Sequence, residues 1–204
     1  MLPEFIVIAG PNGAGKSTTS TSILEPFNIE AFDWDNEFHL KWQTLDFDPV
    51  VMDGIRESVN ADFQSHITKS FTALHSVAYE TNFHSDYNFE LAEQARNLGY
   101  RNSLYFLALS DPKIGIKRVA ERVRKGGHHV SEPIVFERFK VGLEMLDKAM
   151  DFFDRIFIYD SAKKFRLQIV IENKKLTFKN DRLESKIFNR LPTMKSLLVD
   201  HLNE

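Results

Sequence analysis

Short apolar runs alternate with longer stretches of helical periodicity along this chain. Residues 5–9 (Phe-Ile-Val-Ile-Ala) are wholly apolar and end on Gly10, the pattern of a strand buried on both faces of a parallel sheet. A helix is predicted over 16–24, ended by Pro26, then a short strand over 29–33 and a mostly polar helix over 36–45. Val59, Phe63, Ile67, Phe71 and Leu74 recur at helical spacing and predict a core-facing helix over 58–74. A third strand over 77–80, a helix over 87–98 with Gly99 as its cap, and a clear strand over 103–109 follow. Asp111 and Pro112 form the start signal of a basic helix that runs to Lys125 and stops at Gly126 and Gly127. A long helix over 133–153, a strand over 155–159 and a hairpin turning at 173–175 complete the pattern, with a short helical segment from Thr193.

Strands alternating with helices define an α/β fold, specifically a three-layer P-loop NTPase fold with a mainly parallel central sheet and a C-terminal β-hairpin over 165–180. A length of 204 residues with 43% hydrophobic side chains suits a single domain over 1–204. Composition changes this little. The 26 basic residues nearly balance 29 acidic ones, so no overall field favours nucleic acid or an anionic membrane, and an anion must be held locally. The lack of cysteine excludes disulfides and thiolate metal sites and fits the cytoplasm. No window is apolar enough to span a bilayer, and the first residues do not form a signal peptide. The 18 phenylalanines are spread along the chain and are expected to fill the core.

The chemistry begins where the first strand ends. Gly10, Pro11, Asn12, Gly13, Ala14, Gly15, Lys16, Ser17 and Thr18 satisfy the G-x-x-x-x-G-K-[ST] pattern, with a buried strand before it and a helix after it. Glycines let successive N–H groups turn inward, and the helix N-terminus adds partial positive charge, so the loop cradles phosphates. Lys16 is then the residue that reaches the β- and γ-phosphates of ATP, and the Ser17 hydroxyl is the ligand for Mg²⁺. The usual GTPase motif N-K-x-D and the signature L-S-G-G-Q are missing, which leans toward a kinase acting on a small molecule.

Asp33 and Asp35 close the second predicted strand, whose end a parallel sheet delivers beside the P-loop. A carboxylate there can accept a hydroxyl proton, or Asp35 can simply cap the helix expected at Asn36. Glu80, followed by Thr81, ends the third strand and can contact substrate, or Mg²⁺ through water, or stand as a solvated strand-end acid. Arg118, Arg122 and Lys125 form a basic stripe beside an apolar one, which is either a solvated helix face or a set of phosphate-neutralising arginines, with Gly126-Gly127 allowing the segment 113–130 to act as a helical lid. His128 and His129 are adjacent and do not converge as a zinc pair. An ATP-binding regulatory module and a simple NTP hydrolase remain open alternatives.

Four blocks together resemble the zeta toxin family of P-loop kinases: residues 9–18, Asp33-Trp34-Asp35, Tyr79-Glu80-Thr81, and the stretch from Arg118 to Val130 continuing to Arg138. Tyr159-Asp160-Ser161 fits the same pattern, so the resemblance runs in order to about residue 165. It departs at Asn82, where the family more often has Thr, and at Ser131-Glu132-Pro133. Zeta toxins use ATP and Mg²⁺ to phosphorylate the 3′-hydroxyl of UDP-N-acetylglucosamine. The resemblance therefore implies transfer to a hydroxyl of a nucleotide-sugar-like substrate and a separate antitoxin protein as partner. It further implies Asp35 as general base, Glu80 and Thr81 as substrate contacts, and Arg118, Arg122 and Arg138 as a phosphate clamp.

Overall fold

The structure is a computed structural model that describes residues 2–127 and 129–200. Its centre is a seven-stranded sheet in the order β2-β3-β1-β4-β5-β6-β7. The strands are β1 (Glu4–Ala9), β2 (Ala31–Asp33), β3 (Val77–Thr81), β4 (Arg101–Ala108), β5 (Arg155–Asp160), β6 (Arg166–Glu172) and β7 (Lys175–Lys179). The first five pair in parallel, and β6 and β7 add antiparallel at one edge. Every residue of β1 is buried, as are all but the first of β4, because helices cover both faces at the sheet centre. That explains why these strands read as continuous apolar runs.

The helices are α1 (Lys16–Leu24), α2 (Trp34–Gln43), α3 (Met52–Ala73), α4 (Tyr87–Asn97), α5 (Pro112–Arg124), α6 (Glu132–Lys148), α7 (Ser185–Phe188) and α8 (Pro192–Asp200). Three differ at their ends from the sequence expectation. α2 begins at Trp34 rather than Asn36, with Asp33 as its cap: the Asp33 carboxylate accepts the Asn36 N–H at 3.1 Å. The capping role weighed for Asp35 therefore belongs to Asp33, and Asp35 lies inside the first turn. α3 starts six residues earlier than expected, because Pro49 opens a 3₁₀ turn that feeds directly into it. α6 ends at Lys148, five residues short of the expected end, in a 3₁₀ turn over Ala149–Asp151.

The hairpin turn is as expected. Asn173 and Lys174 both have positive φ, 48° and 64°, the two-residue turn whose twist matches the strands it joins. At the opposite end of the sheet from the P-loop, buried Glu4 opens β1. It accepts hydrogen bonds from Arg155 at 2.7 Å and from Arg101, so the central strand starts on a neutralised carboxylate.

Register decides what meets at the other end. Ala9 pairs with Thr81 on one side and Phe106 on the other, and Asp33 pairs with Glu80. The strand order reverses direction at β1, and the crevice outside the carboxyl ends of β1, β3 and β4 is where such sheets hold ligands.

Candidate active site

The P-loop leaves β1 at Gly10 and winds into α1 at Lys16. Gly10 (φ +146°) sits so close to the Leu107 carbonyl that a side chain has no room. At Gly13 (φ +79°) a Cβ would lie 2.7 Å from the Gly115 carbonyl oxygen, so the loop is pressed directly onto the backbone of α5. The contact is reciprocal: a Cβ on Gly115 would lie 2.6 Å from the Asn12 carbonyl oxygen.

Lys16 folds back over the loop, its Nζ donating to the Gly10 carbonyl at 2.8 Å and to Asn82 Oδ1 at 3.1 Å. Burial pushes the Lys16 pKa down, opposed by the carboxylates of Asp35, Glu80 and Asp33. Ser17 Oγ lies 2.6 Å from Asp33 Oδ2 and 2.8 Å from Glu80 Oε2, and has one proton to give. Burial, and then the neighbouring Asp33 carboxylate, push the Glu80 pKa up, against the hydrogen bonds from Ser17 and Ser20 and the charge of Lys16. This cluster of hydroxyl and carboxylate oxygens is a hard-ligand set that suits Mg²⁺, and a divalent cation there would offset the charge that raises Glu80.

Two cavities meet at these residues. The larger, of about 1060 Å³, runs from the P-loop between α5 and the loop after β5; Arg118, Arg122, Lys163 and Phe165 are in its walls. The smaller, of about 350 Å³, opens between α3, α4 and the end of β3, and its walls include Trp34, Phe63, Tyr87, His84 and Arg138. Lys16, Asp33, Asp35 and Glu80 line both. The smaller pocket is held in shape by its own hydrogen bonds. Trp34 Nε1 donates to Asn60 Oδ1 at 2.8 Å, Gln64 Nε2 to Tyr87 at 2.6 Å and the Tyr79 hydroxyl to Asn88 Oδ1 at 3.1 Å.

Of the residues expected from sequence, the structure gathers Lys16, Ser17, Asp35 and Glu80 at the P-loop end of the cavities, with Thr81 in the smaller pocket. Thr81 Oγ1 accepts the Phe83 N–H at 3.0 Å and so braces a turn. Phe83 at its tip has φ +55°, uncommon for a bulky residue, and its fully buried ring packs against Phe89, Phe106 and Phe153. That turn delivers Asn82 to Lys16 and His84 to the pocket. Burial and the Arg138 charge lower the His84 pKa, against Asp35 and Glu137.

The three arginines divide between the two cavities, Arg118 and Arg122 in the larger and Arg138 in the smaller. Arg118 donates to the carbonyls of Gly13 at 3.0 Å, Ser161 at 2.9 Å and Ala162 at 2.7 Å, tying the P-loop to the end of β5. Arg122 lines the larger cavity, and Arg138, on α6, enters the smaller one and donates to Asn12 Oδ1 at 3.2 Å. Of the adjacent histidines, His128 lies outside the described residues. Asn82, His84 and Gly115 carry no site expectation from the sequence: the turn at Phe83 brings in the first two, and the packing of α5 on the P-loop the third.

Fold and site together define a P-loop NTPase fold with the P-loop at the switch point of the sheet. No protein-family model matches the chain, nor does any curated protein. Solved structures do. One is from the PezAT chromosomal toxin–antitoxin system of the human pathogen Streptococcus pneumoniae, at 16% identity over 97% of this chain and 88% of that one, with a TM-score of 0.62. The native AvrRxo1-ORF1:-ORF2 complex matches at 12% identity and TM-score 0.71, and the same complex with ATP at 13% and 0.66. In both, 91% of this chain is covered and it spans 63% of the matched chain. The resemblance to zeta toxins carried by the four sequence blocks is thus also a resemblance of fold.

Proposed function

We propose that this protein is an ATP-dependent small-molecule kinase of zeta-toxin type, which passes the γ-phosphoryl of ATP to a hydroxyl of a nucleotide-sugar-like substrate. The observation that carries this reading is the pair of cavities sharing Lys16, Asp33, Asp35 and Glu80. A simple hydrolase needs room for one water; here a second walled pocket of about 350 Å³ faces the same residues.

The P-loop amides and the α1 N-terminus hold the triphosphate in the larger cavity, with its γ-phosphoryl toward the shared wall. A hydroxyl held in the smaller pocket attacks phosphorus as the bond to the bridging β,γ-oxygen breaks, and the hydroxyl proton passes to Asp35. Lys16, released from Gly10 and Asn82, is the cation that accompanies the migrating charge. Ser17, with Asp33 and Glu80 around it, would hold Mg²⁺, which neutralises phosphate oxygens when bound. In this reading Arg138, which lines the smaller cavity, meets the phosphoryl from the acceptor side and Arg122, which lines the larger, from the nucleotide side, with the 113–130 segment as lid. Glu80 and Thr81 contribute to the acceptor side of the site. A separate antitoxin protein as partner belongs to the same reading, supported by the fold shared with a toxin–antitoxin system, and a cytoplasmic setting goes with the lack of cysteine.

The test is incubation with ATP, Mg²⁺ and a panel of nucleotide sugars, followed by detection of a phosphorylated product. Asp35→Asn should lower kcat roughly 10²- to 10⁴-fold with nucleotide affinity unchanged, the range of a lost general base. Lys16→Ala should abolish transfer. Full transfer by the Asp35 variant would remove that residue from the base role, and phosphate release indifferent to any acceptor would favour a hydrolase.

A further inference from the structure

We propose that the nucleotide cleft grips the base of its donor by stacking on Phe165 and does not read the base edge, so that ATP and GTP are accepted about equally. This rests on the nucleotide-binding reading above. The γ-phosphoryl faces the wall shared with the smaller pocket, so the rest of the nucleotide leaves the P-loop in the other direction. There the cleft runs between α5 and the loop over residues 161–165.

Adenine and guanine differ in the polar groups on their edges: adenine offers N6–H₂ as a donor where guanine offers O6 as an acceptor. A protein tells them apart with fixed donors or acceptors aimed at that position. The main-chain groups at the start of this loop are already engaged. The Ser161 N–H and its hydroxyl both donate to the Ala108 carbonyl, at 2.9 and 3.0 Å. The Ala162 N–H donates to Asp160 Oδ1 at 2.9 Å, and the Ser161 and Ala162 carbonyls both receive Arg118. Facing them, Glu121 and Lys125 are exposed, as is Lys163 on the loop itself, and their charged tips compete with water for any base edge.

What the loop does offer is an aromatic face. Phe165 is 47% exposed in a protein whose phenylalanines mostly fill the core, and it lines the cleft. Its ring is fixed against Tyr159, with centroids 4.4 Å apart and planes 5° from parallel. A ring so backed is a pre-set platform, and every base has a face to lay on it.

The experiment measures binding of Mg-ATP, Mg-GTP and inorganic tripolyphosphate with Mg²⁺ to the intact protein and to Phe165→Ala by calorimetry. The two nucleotides should bind the natural protein within about threefold of each other and more tightly than tripolyphosphate. Phe165→Ala should weaken both nucleotides roughly 5- to 150-fold, the range for a lost aromatic stack, and leave tripolyphosphate unchanged. Phe165→Tyr should restore both. Unchanged tripolyphosphate binding also reports that the variant is folded. A preference for either nucleotide above about 30-fold would overturn the inference, since that is a discrimination the edge contacts of a read base produce. So would nucleotide binding insensitive to Phe165→Ala, or no gain of nucleotide over tripolyphosphate. Failure of the natural protein to bind any of the three would instead overturn the kinase reading, and this inference with it.

Discussion

Gly115→Ala is the substitution that most directly probes the seat of the P-loop. In a helix, glycine to alanine ordinarily stabilises by up to about 1 kcal/mol, because the unfolded chain loses freedom and the helix gains a better former. At Gly115 the new Cβ would stand 2.6 Å from the Asn12 carbonyl oxygen and 3.3 Å from Leu109 Cδ1. The first neighbour is backbone of the phosphate loop, and that loop is pinned by the close approach of Gly13 and by Arg118 on the Gly13 carbonyl. Relief therefore requires α5 and the loop to part, an overpacking cost of about 1–3 kcal/mol. Gly54→Ala, at an exposed position of α3 with nothing within 4 Å of its Cβ, carries the propensity gain without the collision. The difference between the two variants isolates the collision, and urea unfolding midpoints should place Gly115→Ala lower by about 1–3 kcal/mol. Because the displaced atoms belong to Asn12 and Gly13, the same variant should weaken Mg-ATP in a calorimetric titration, and Gly54→Ala should not. If both variants stabilise equally and bind nucleotide alike, the loop does not depend on α5 for its shape, and the close packing of Gly115 on Asn12 does not seat it.

Arg118→Ala removes three hydrogen bonds to backbone carbonyls, and charged-donor bonds of this kind imply a stability loss of about 2–3 kcal/mol by chemical unfolding. A fall in kcat with an unchanged unfolding midpoint would instead put Arg118 on the transferred phosphoryl. Folded Glu80 holds its proton more tightly than in the unfolded chain, so without metal stability is greatest below the ordinary carboxylate pKa and falls as pH rises through the window up to the raised folded value. Melting temperatures against pH should show that decline, and Glu80→Gln or added Mg²⁺ should flatten it; an equal slope in all three would detach Glu80 from the cation site. Lys174→Gly relieves a positive φ in the hairpin turn at the loss of an exposed ion pair to Asp151, and should raise stability by up to about 1 kcal/mol in thermal unfolding.

The sequence alone carried the order of strands and helices, the P-loop and its neighbours, because these depend on local periodicity and on motifs whose residues are contiguous. The apolar runs of β1 and β4, the start signal at Asp111-Pro112 and the hairpin all appear where the pattern put them. The position of Glu80 follows from the same local reading, since strand ends in a parallel sheet face the crevice, whereas Asp35 lines the same cavities from the first turn of α2 rather than from the end of a strand. What depended on pairing between distant segments was not legible. The Asp33–Glu80 register sets Asp33 rather than Asp35 beside Ser17, and one residue of slip would turn it away. Likewise Arg118, part of a basic stripe in the sequence, donates to carbonyls 43 and 105 residues away. Asn82 reaches Lys16 only because Phe83 accepts a left-handed backbone to bury its ring. Local pattern fixes which elements form, since it acts through neighbours in the chain; the tertiary structure decides which of their polar groups remain available for chemistry, since long-range partners claim the others first.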